Sequence, residues 1–250
     1  MSATDPIDQD RPFIAHLLEL RNRLLRSVLV VVVIFFAVFP FADHLYTWLS
    51  GPLREVLPPG ASMIAIKPIA PFMIPLKLAF FTALAVSVPY LLYQIWAFVA
   101  PGLYRHERRL VWPLMVSSSL LFYLGAAFAY FVVFPVVFRF LMGSAPDGVL
   151  PMTDIGEYLS FVTTMFFAFG AAFEVPVAII LLVYTGAVSA DDLRDARPYV
   201  IVGAFVVGAI FTPPDVISQF LLAGPMWILY EIGIVLSGWF VRRSPDESSA

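Results

Sequence analysis

Residues 13–42 read FIAHLLELRNRLLRSVLVVVVIFFAVFPFA. In the first half, Phe13, Leu17, Leu20 and Leu24 fall on one helical stripe, and Glu19, Arg23 and Arg26 follow at i, i+4 and i+7 on another. From Ser27 to Ala42 no charge interrupts the apolar run. An amphipathic helix that continues without a break into an uncharged run enters a lipid bilayer from its polar end. The rest of the chain agrees. Hydrophobic residues make up 60% and charged residues 13%, with a mean hydropathy of +0.88, where a soluble domain has about 45–50% apolar residues. This excludes a water-soluble globule, a disordered chain and a nucleic-acid binder. Cysteine is absent, so there is no disulfide framework, thiolate nucleophile or Cys-ligated metal. The 24 Phe and 21 Pro fit kinked helices in lipid, where freed backbone groups find partners on neighbouring helices.

Hydropathy and punctuation then predict an all-α, polytopic membrane protein with six transmembrane helices at about 24–42, 76–98, 110–138, 158–184, 199–211 and 216–241. Residues 1–12 read as a flexible cytosolic start rather than a signal peptide, lacking a basic segment ahead of a short apolar core. Between the first two spans, Leu45, Trp48, Leu49, Leu53, Val56 and Leu57 form an apolar face at helical spacing, anchored by Tyr46 and Trp48 and ended by Pro58-Pro59-Gly60. That is the pattern of a short helix lying in the interface plane. The third span holds Pro113 and Pro135, so tilt or kinking is expected. The fifth is short: 13 residues rise about 20 Å, against a hydrocarbon core of about 30 Å. On it Ala204 and Gly208 are four apart, which permits a close neighbour. Residues 242–250 read as a disordered tail.

Lys and Arg fix the orientation. One side holds Arg11, Arg21, Arg23, Arg26, Arg105, Arg108, Arg109, Arg194, Arg197, Arg242 and Arg243, eleven in all, and the other only Arg54, Lys67, Lys77 and Arg139. Both termini are therefore expected in the cytoplasm.

Catalytic signatures fail. His106-Glu107 is followed by Leu110 where a zinc-binding HExxH needs its second His, and no G-x-S-x-G occurs. Ionisable groups within the spans are few and each is a functional candidate, because lipid makes them costly. Glu174, in Phe173-Glu174-Val175-Pro176, reads either as a polar contact or proton site, or as a partner of the Ala172 carbonyl that Pro176 leaves free. It is expected to be protonated, bonded to a polar group such as Gln219 or to a partner helix. Glu231 could pair with an arginine of the connectors. Glu107 stands among several arginines, which reads as local neutralisation or as half of a site with Glu19. Two carboxylates on one side of the membrane could accept a cationic peptide, since guanidinium binds carboxylate bidentately.

At these residues the chain resembles a known family. His16-Leu17-Leu18-Glu19-Leu20-Arg21-Asn22-Arg23, the run YQIWAFVAPGLY at 93–104 and Glu107-Arg108-Arg109 are similar to TatC, a subunit of the twin-arginine protein translocase. So are Phe122-Tyr123-Leu124-Gly125, Phe134-Pro135, Phe169-Gly170, Phe173-Glu174-Val175-Pro176, Arg197-Pro198-Tyr199 and Thr212-Pro213-Pro214-Asp215. The resemblance implies a glove-shaped six-helix receptor in the bacterial cytoplasmic membrane. It implies that the receptor binds twin-arginine signal peptides and assembles with TatA-type and TatB-type single-span subunits and further copies of itself. Folded proteins would then cross the bilayer on the proton-motive force, with no cofactor and no nucleic acid. By this resemblance Phe98, Glu107, Glu19 and Arg21 belong to the signal-binding patch. Glu174, Gln219, Asp215 and Pro52 match positions of function or partner contact. One stretch departs: many members carry an acidic residue shortly before the Phe of the first outer loop, where this chain reads Ile66-Lys67-Pro68-Ile69-Ala70-Pro71-Phe72. On the residues alone two rivals stand beside this reading. One is a proton-coupled small-molecule transporter using Glu174; the other is a membrane scaffold.

Overall fold

The computed structural model describes residues 7–99, 111–146, 149, 151–211 and 216–241. Among them the secondary structure is helical, apart from one isolated bridge. Helix α1 (Ile7–Val38) passes through a single 3-10 turn into α2 (Ala42–Leu49) and α3 (Gly51–Arg54). Then come α4 (Ala70–Val99), α5 (Val111–Phe128), a π-helical turn (Ala129–Val133) and α6 (Phe134–Gly143). They are followed by α7 (Ile155–Phe173), α8 (Val175–Tyr184), α9 (Ala190–Asp195), α10 (Arg197–Phe211) and α11 (Val216–Val241). Among the described residues, five segments are long and apolar enough to cross a membrane, at Leu17–Arg54, Ala70–Phe98, Trp112–Gly143, Ile155–Tyr184 and Val216–Gly238. The sixth, α10, has 15 residues and rises about 22 Å.

Three elements differ in detail from the sequence pattern. Helix α1 begins at Ile7, inside the stretch read as flexible. Helix α4 begins at Ala70, where Pro71 in the first turn costs no hydrogen bond. The third span changes its hydrogen-bond ladder part-way along. Phe134 N–H reaches back five residues to the Ala129 carbonyl, immediately before Pro135, whose ring cannot accommodate a regular turn behind it.

The helices pack in a chain of neighbours: α1 on α4, α4 on α5, α5 on α7, and α8 on α11, with α11 also against α10. Helix α1 is the peripheral one, with little of it buried inside the protein. The core sits at the end of the bundle where α2, α3, α6 and α7 converge, and aromatic rings build it. Tyr130 stacks on Trp48 at 4.6 Å, and Phe134 meets Phe138, Phe161 and Phe166 at 5.3–6.1 Å. The last carbonyls of α2 have no partner within the helix. Two tyrosines supply one: Tyr130 Oη donates to Trp48 O at 3.0 Å and Tyr158 Oη to Leu49 O at 2.7 Å. The short helices are thus pinned to the bundle.

The same end carries a clasp between two loops. Ile64 bridges Asp154, with Ile64 N–H on Thr153 O at 3.0 Å and Ile155 N–H on Ile64 O at 2.9 Å. The Asp154 carboxylate caps α7, accepting from Gly156 and Glu157 at 2.9 and 3.0 Å, and also takes Ile66 N–H at 2.9 Å. The bonds from Ile66 and Glu157, then Gly156 and the nearby Lys67 charge, hold this carboxyl below the usual aspartate range. A depressed folded-state value stabilises the protein above the unfolded pKa, about 3.9. The contribution disappears as pH falls through the folded value. Thermal unfolding in detergent should therefore show a loss of stability on acidification below about pH 4 that Asp154→Asn removes. An unchanged acid limb in that variant would count against the clasp.

Candidate functional site

At the arginine-rich end, α1 and α4 share a cluster of polar side chains. Glu19 and Arg23 lie four apart on α1 with the acid nearer the N-terminus, the favourable order. Arg23 Nε and Nη2 both donate to Glu19 Oε1, at 3.0 and 2.5 Å. The same guanidinium crosses to α4, with Nη1 on Gln94 Oε1 and Nη2 on the Ala97 carbonyl, each at 3.1 Å. Four residues beyond Ala97 the chain has Pro101, which has no N–H to give the Ala97 carbonyl. Gln94 is buried and its Nε2 donates to Tyr90 Oη at 2.6 Å. Half-buried Phe98 follows Ala97 directly, while Arg21 is exposed on α1. The fold therefore brings Glu19 to the α4 turn that carries Phe98, and Glu107 lies outside the described residues.

A second polar locus lies within the fourth span. Glu174 occupies the break between α7 and α8, its N–H on Ala171 O at 3.1 Å and its carbonyl accepting from Ala178 at 3.0 Å. Pro176 opens α8, which explains why the chain breaks at this residue. Ser118 of α5, fully buried, faces the carboxyl. Among the described residues neither Ser118 Oγ nor Glu174 Oε1 completes an aligned hydrogen bond. The polar partner suggested by the sequence, Gln219, is engaged elsewhere: its Nε2 donates to the Phe205 carbonyl of α10 at 2.9 Å. Its side chain also lies against Gly208, so the small face of Ala204 and Gly208 receives α11. Glu231 does meet a connector arginine, with Arg197 Nη2 on its Oε2 at 2.7 Å. Pro52 is buried in α3, which packs on α6, and Asp215 lies outside the described residues.

Two cavities at the connectors carry polar groups, one beside Ser189, Asp191 and Arg194 and one beside Arg54 and Ser62, but three along the spans are apolar. One of about 700 Å³ lies between α5, α8 and α11, and others of about 390 and 440 Å³ lie beside α7. Their linings are dominated by Leu, Phe, Val and Ala, and Glu174 lines none of the three. A small-molecule transporter needs a few convergent polar groups in its pocket; these do not supply them.

Sequence reasoning did not single out Arg23, Tyr90, Gln94 or Ser118 as site residues. Gln94 was the findable one, a lone amide in an apolar span. Ser118 was visible only as the middle of a serine triplet.

Residues 15–225 match the family described as Sec-independent protein translocase protein (TatC). The chain is 58% identical over 249 residues to the protein of that name from Azotobacter chroococcum mcd 1, covering 100% of this chain and 98% of the relative. Against the Escherichia coli K12 protein it is 56% identical over 237 residues, covering 95% and 92%. A crystal structure of the twin-arginine translocase receptor TatC superposes with a TM-score of 0.82 at 38% identity, covering 91% of this chain and all of the other. The chain therefore belongs to the TatC family of Sec-independent protein translocase proteins.

Proposed function

We propose that this chain is the signal-peptide receptor and core subunit of a twin-arginine translocase in a bacterial cytoplasmic membrane, with both termini in the cytoplasm. Its signal-binding patch comprises Phe98, Glu107, Glu19 and Arg21, and it works with TatA-type and TatB-type single-span subunits and further copies of itself. Export is of folded proteins, driven by the proton-motive force without catalysis on a cofactor. The observation that carries this reading is the α1–α4 cluster, where Arg23 ties the Glu19 carboxylate to the helix turn that carries Phe98, at one end of a fold similar to that receptor over nearly its whole length. Carboxylate is the partner that recognises guanidinium bidentately. The test is site-specific photocrosslinking in membranes. A probe at Phe98 should capture a twin-arginine precursor, and one at exposed Phe72, at the opposite end of α4, should not. Equal capture at both positions would overturn the assignment.

Glu174, with Gln219, Asp215 and Pro52, is assigned to partner or intramembrane polar contact, and Glu174 to the contact with partner subunits. Glu174→Gln keeps a donor and an acceptor of similar shape, whereas Glu174→Ala removes both. Ala should weaken co-purification of the single-span subunits and leave precursor crosslinking near wild type, with Gln far milder. Equal, severe loss in both variants would instead favour a required proton site.

A further inference from the structure

The Glu19 carboxylate is not waiting for a ligand. It already holds a guanidinium, and that guanidinium belongs to the chain itself. Both Arg23–Glu19 bonds end on Oε1, and Arg23 is simultaneously braced on α4 by Gln94 Oε1 and the Ala97 carbonyl. The pair is part-exposed, with side-chain accessibilities of 22% for Arg23 and 36% for Glu19, so an incoming side chain can reach it.

We propose that Arg23 is a resident surrogate for the signal arginine and sets the selectivity of the Glu19 position by competition. This rests on the receptor reading above and concerns the same site. An incoming arginine replaces one guanidinium by another on the carboxylate, an exchange of like for like. The displaced Arg23 keeps its acceptors on α4, Gln94 and Ala97. An incoming lysine must expel a forked, two-bond donor and return a point charge. It loses that exchange. Selectivity then comes from what the wrong ligand must displace as well as from what the right one gains. In this arrangement a residue that looks like an internal ion pair is the discriminating element, and removing it broadens the specificity of the site.

The experiment uses the full-length protein in lipid nanodiscs and two labelled peptides, identical except for a twin-arginine or a twin-lysine pair. Wild type should prefer arginine by about tenfold or more, the scale of one charge-assisted hydrogen bond. Arg23→Gln should tighten binding of both peptides, the lysine one more, and bring the ratio within about threefold. Arg23→Lys keeps a cation on Glu19 without the fork, so the ratio should fall part of the way; it decides the matter should Arg23→Gln not fold. Arg23 variants that weaken both peptides equally, with the wild-type ratio intact, would make Arg23 a brace between α1 and α4 and overturn the proposal. Glu19→Gln separates the two readings. If it weakens binding while the Arg23 ratio stays unchanged, only the surrogate role is lost. If it leaves both peptides bound as in wild type, the assignment of Glu19 is lost with it.

Discussion

Gly125→Val should leave little folded protein. A Cβ at Gly125 would stand 2.9 Å from the Phe169 carbonyl carbon and 3.0 Å from Phe173 Cδ2, and closer still to the Phe169 carbonyl oxygen. Backbone cannot swing aside as a side chain can. The contact is reciprocal, since Gly170 of α7 takes the ring of Phe122 from α5 against its own Cα, with Phe122 Cδ2 and Cζ 2.7 and 2.8 Å from where a Cβ would lie. These two glycines let α5 and α7 approach at Phe122, Phe169 and Phe173, and the separated helices gain little from hydrophobic re-closure, because lipid is as apolar as leucine. Overpacking a tight contact costs about 1–3 kcal/mol, and Val at Gly125 belongs at the upper end. Thermal unfolding and monodispersity in detergent measure it. Gly203→Ala, on an exposed face of α10 with nothing within 4 Å, is the matched control and should be neutral or slightly stabilising. Gly125→Val that melts with wild type would show that the contact between α5 and α7 is looser than described.

Glu107→Gln should weaken twin-arginine precursor binding by about tenfold to a hundredfold. The substitution keeps the shape and removes the charge, so a bound guanidinium loses charge-assisted hydrogen bonds worth about 1.5–3 kcal/mol. The expectation follows from the receptor reading. Twin-lysine signals should bind wild type less well, because ammonium lacks the fork. Precursor binding at the wild-type level in Glu107→Gln membranes would remove Glu107 from the patch.

Much of the architecture was legible along the chain. Hydropathy located six apolar segments and flagged α10 as too short for a bilayer; helical spacing marked the short helical stretch before Pro58. These are local quantities, set by runs and periods of a few turns. The polar clusters are not local. Arg23 finds Gln94 71 positions away, and no pattern within either span reports which helix faces which. Glu174 could be identified as costly, yet that it faces Ser118 while Gln219 bonds to Phe205 depends on α5, α10 and α11 packing as they do. Pro135 announced a distortion of the third span but not its form: a kink, a tilt and a widened turn all relieve the same clash.

That widened turn has a consequence for how this sequence can change by insertion and deletion. A π-helical turn accommodates one residue more than the α-helix around it, and each residue of an α-helix advances about 100° around the axis. Loss of a single residue from Ala129–Val133 would let the ladder close as a regular helix, and because the wide turn already absorbs one residue, the helix beyond it would keep its phase. Phe134, Val137 and Phe138, all buried now, would go on facing the core. The same deletion in the regular helix on either side would turn everything beyond it by about 100° and carry those rings toward lipid. The π turn is thus the place in the third span where the residue count can fall by one while the wall on which α3 rests stays in phase.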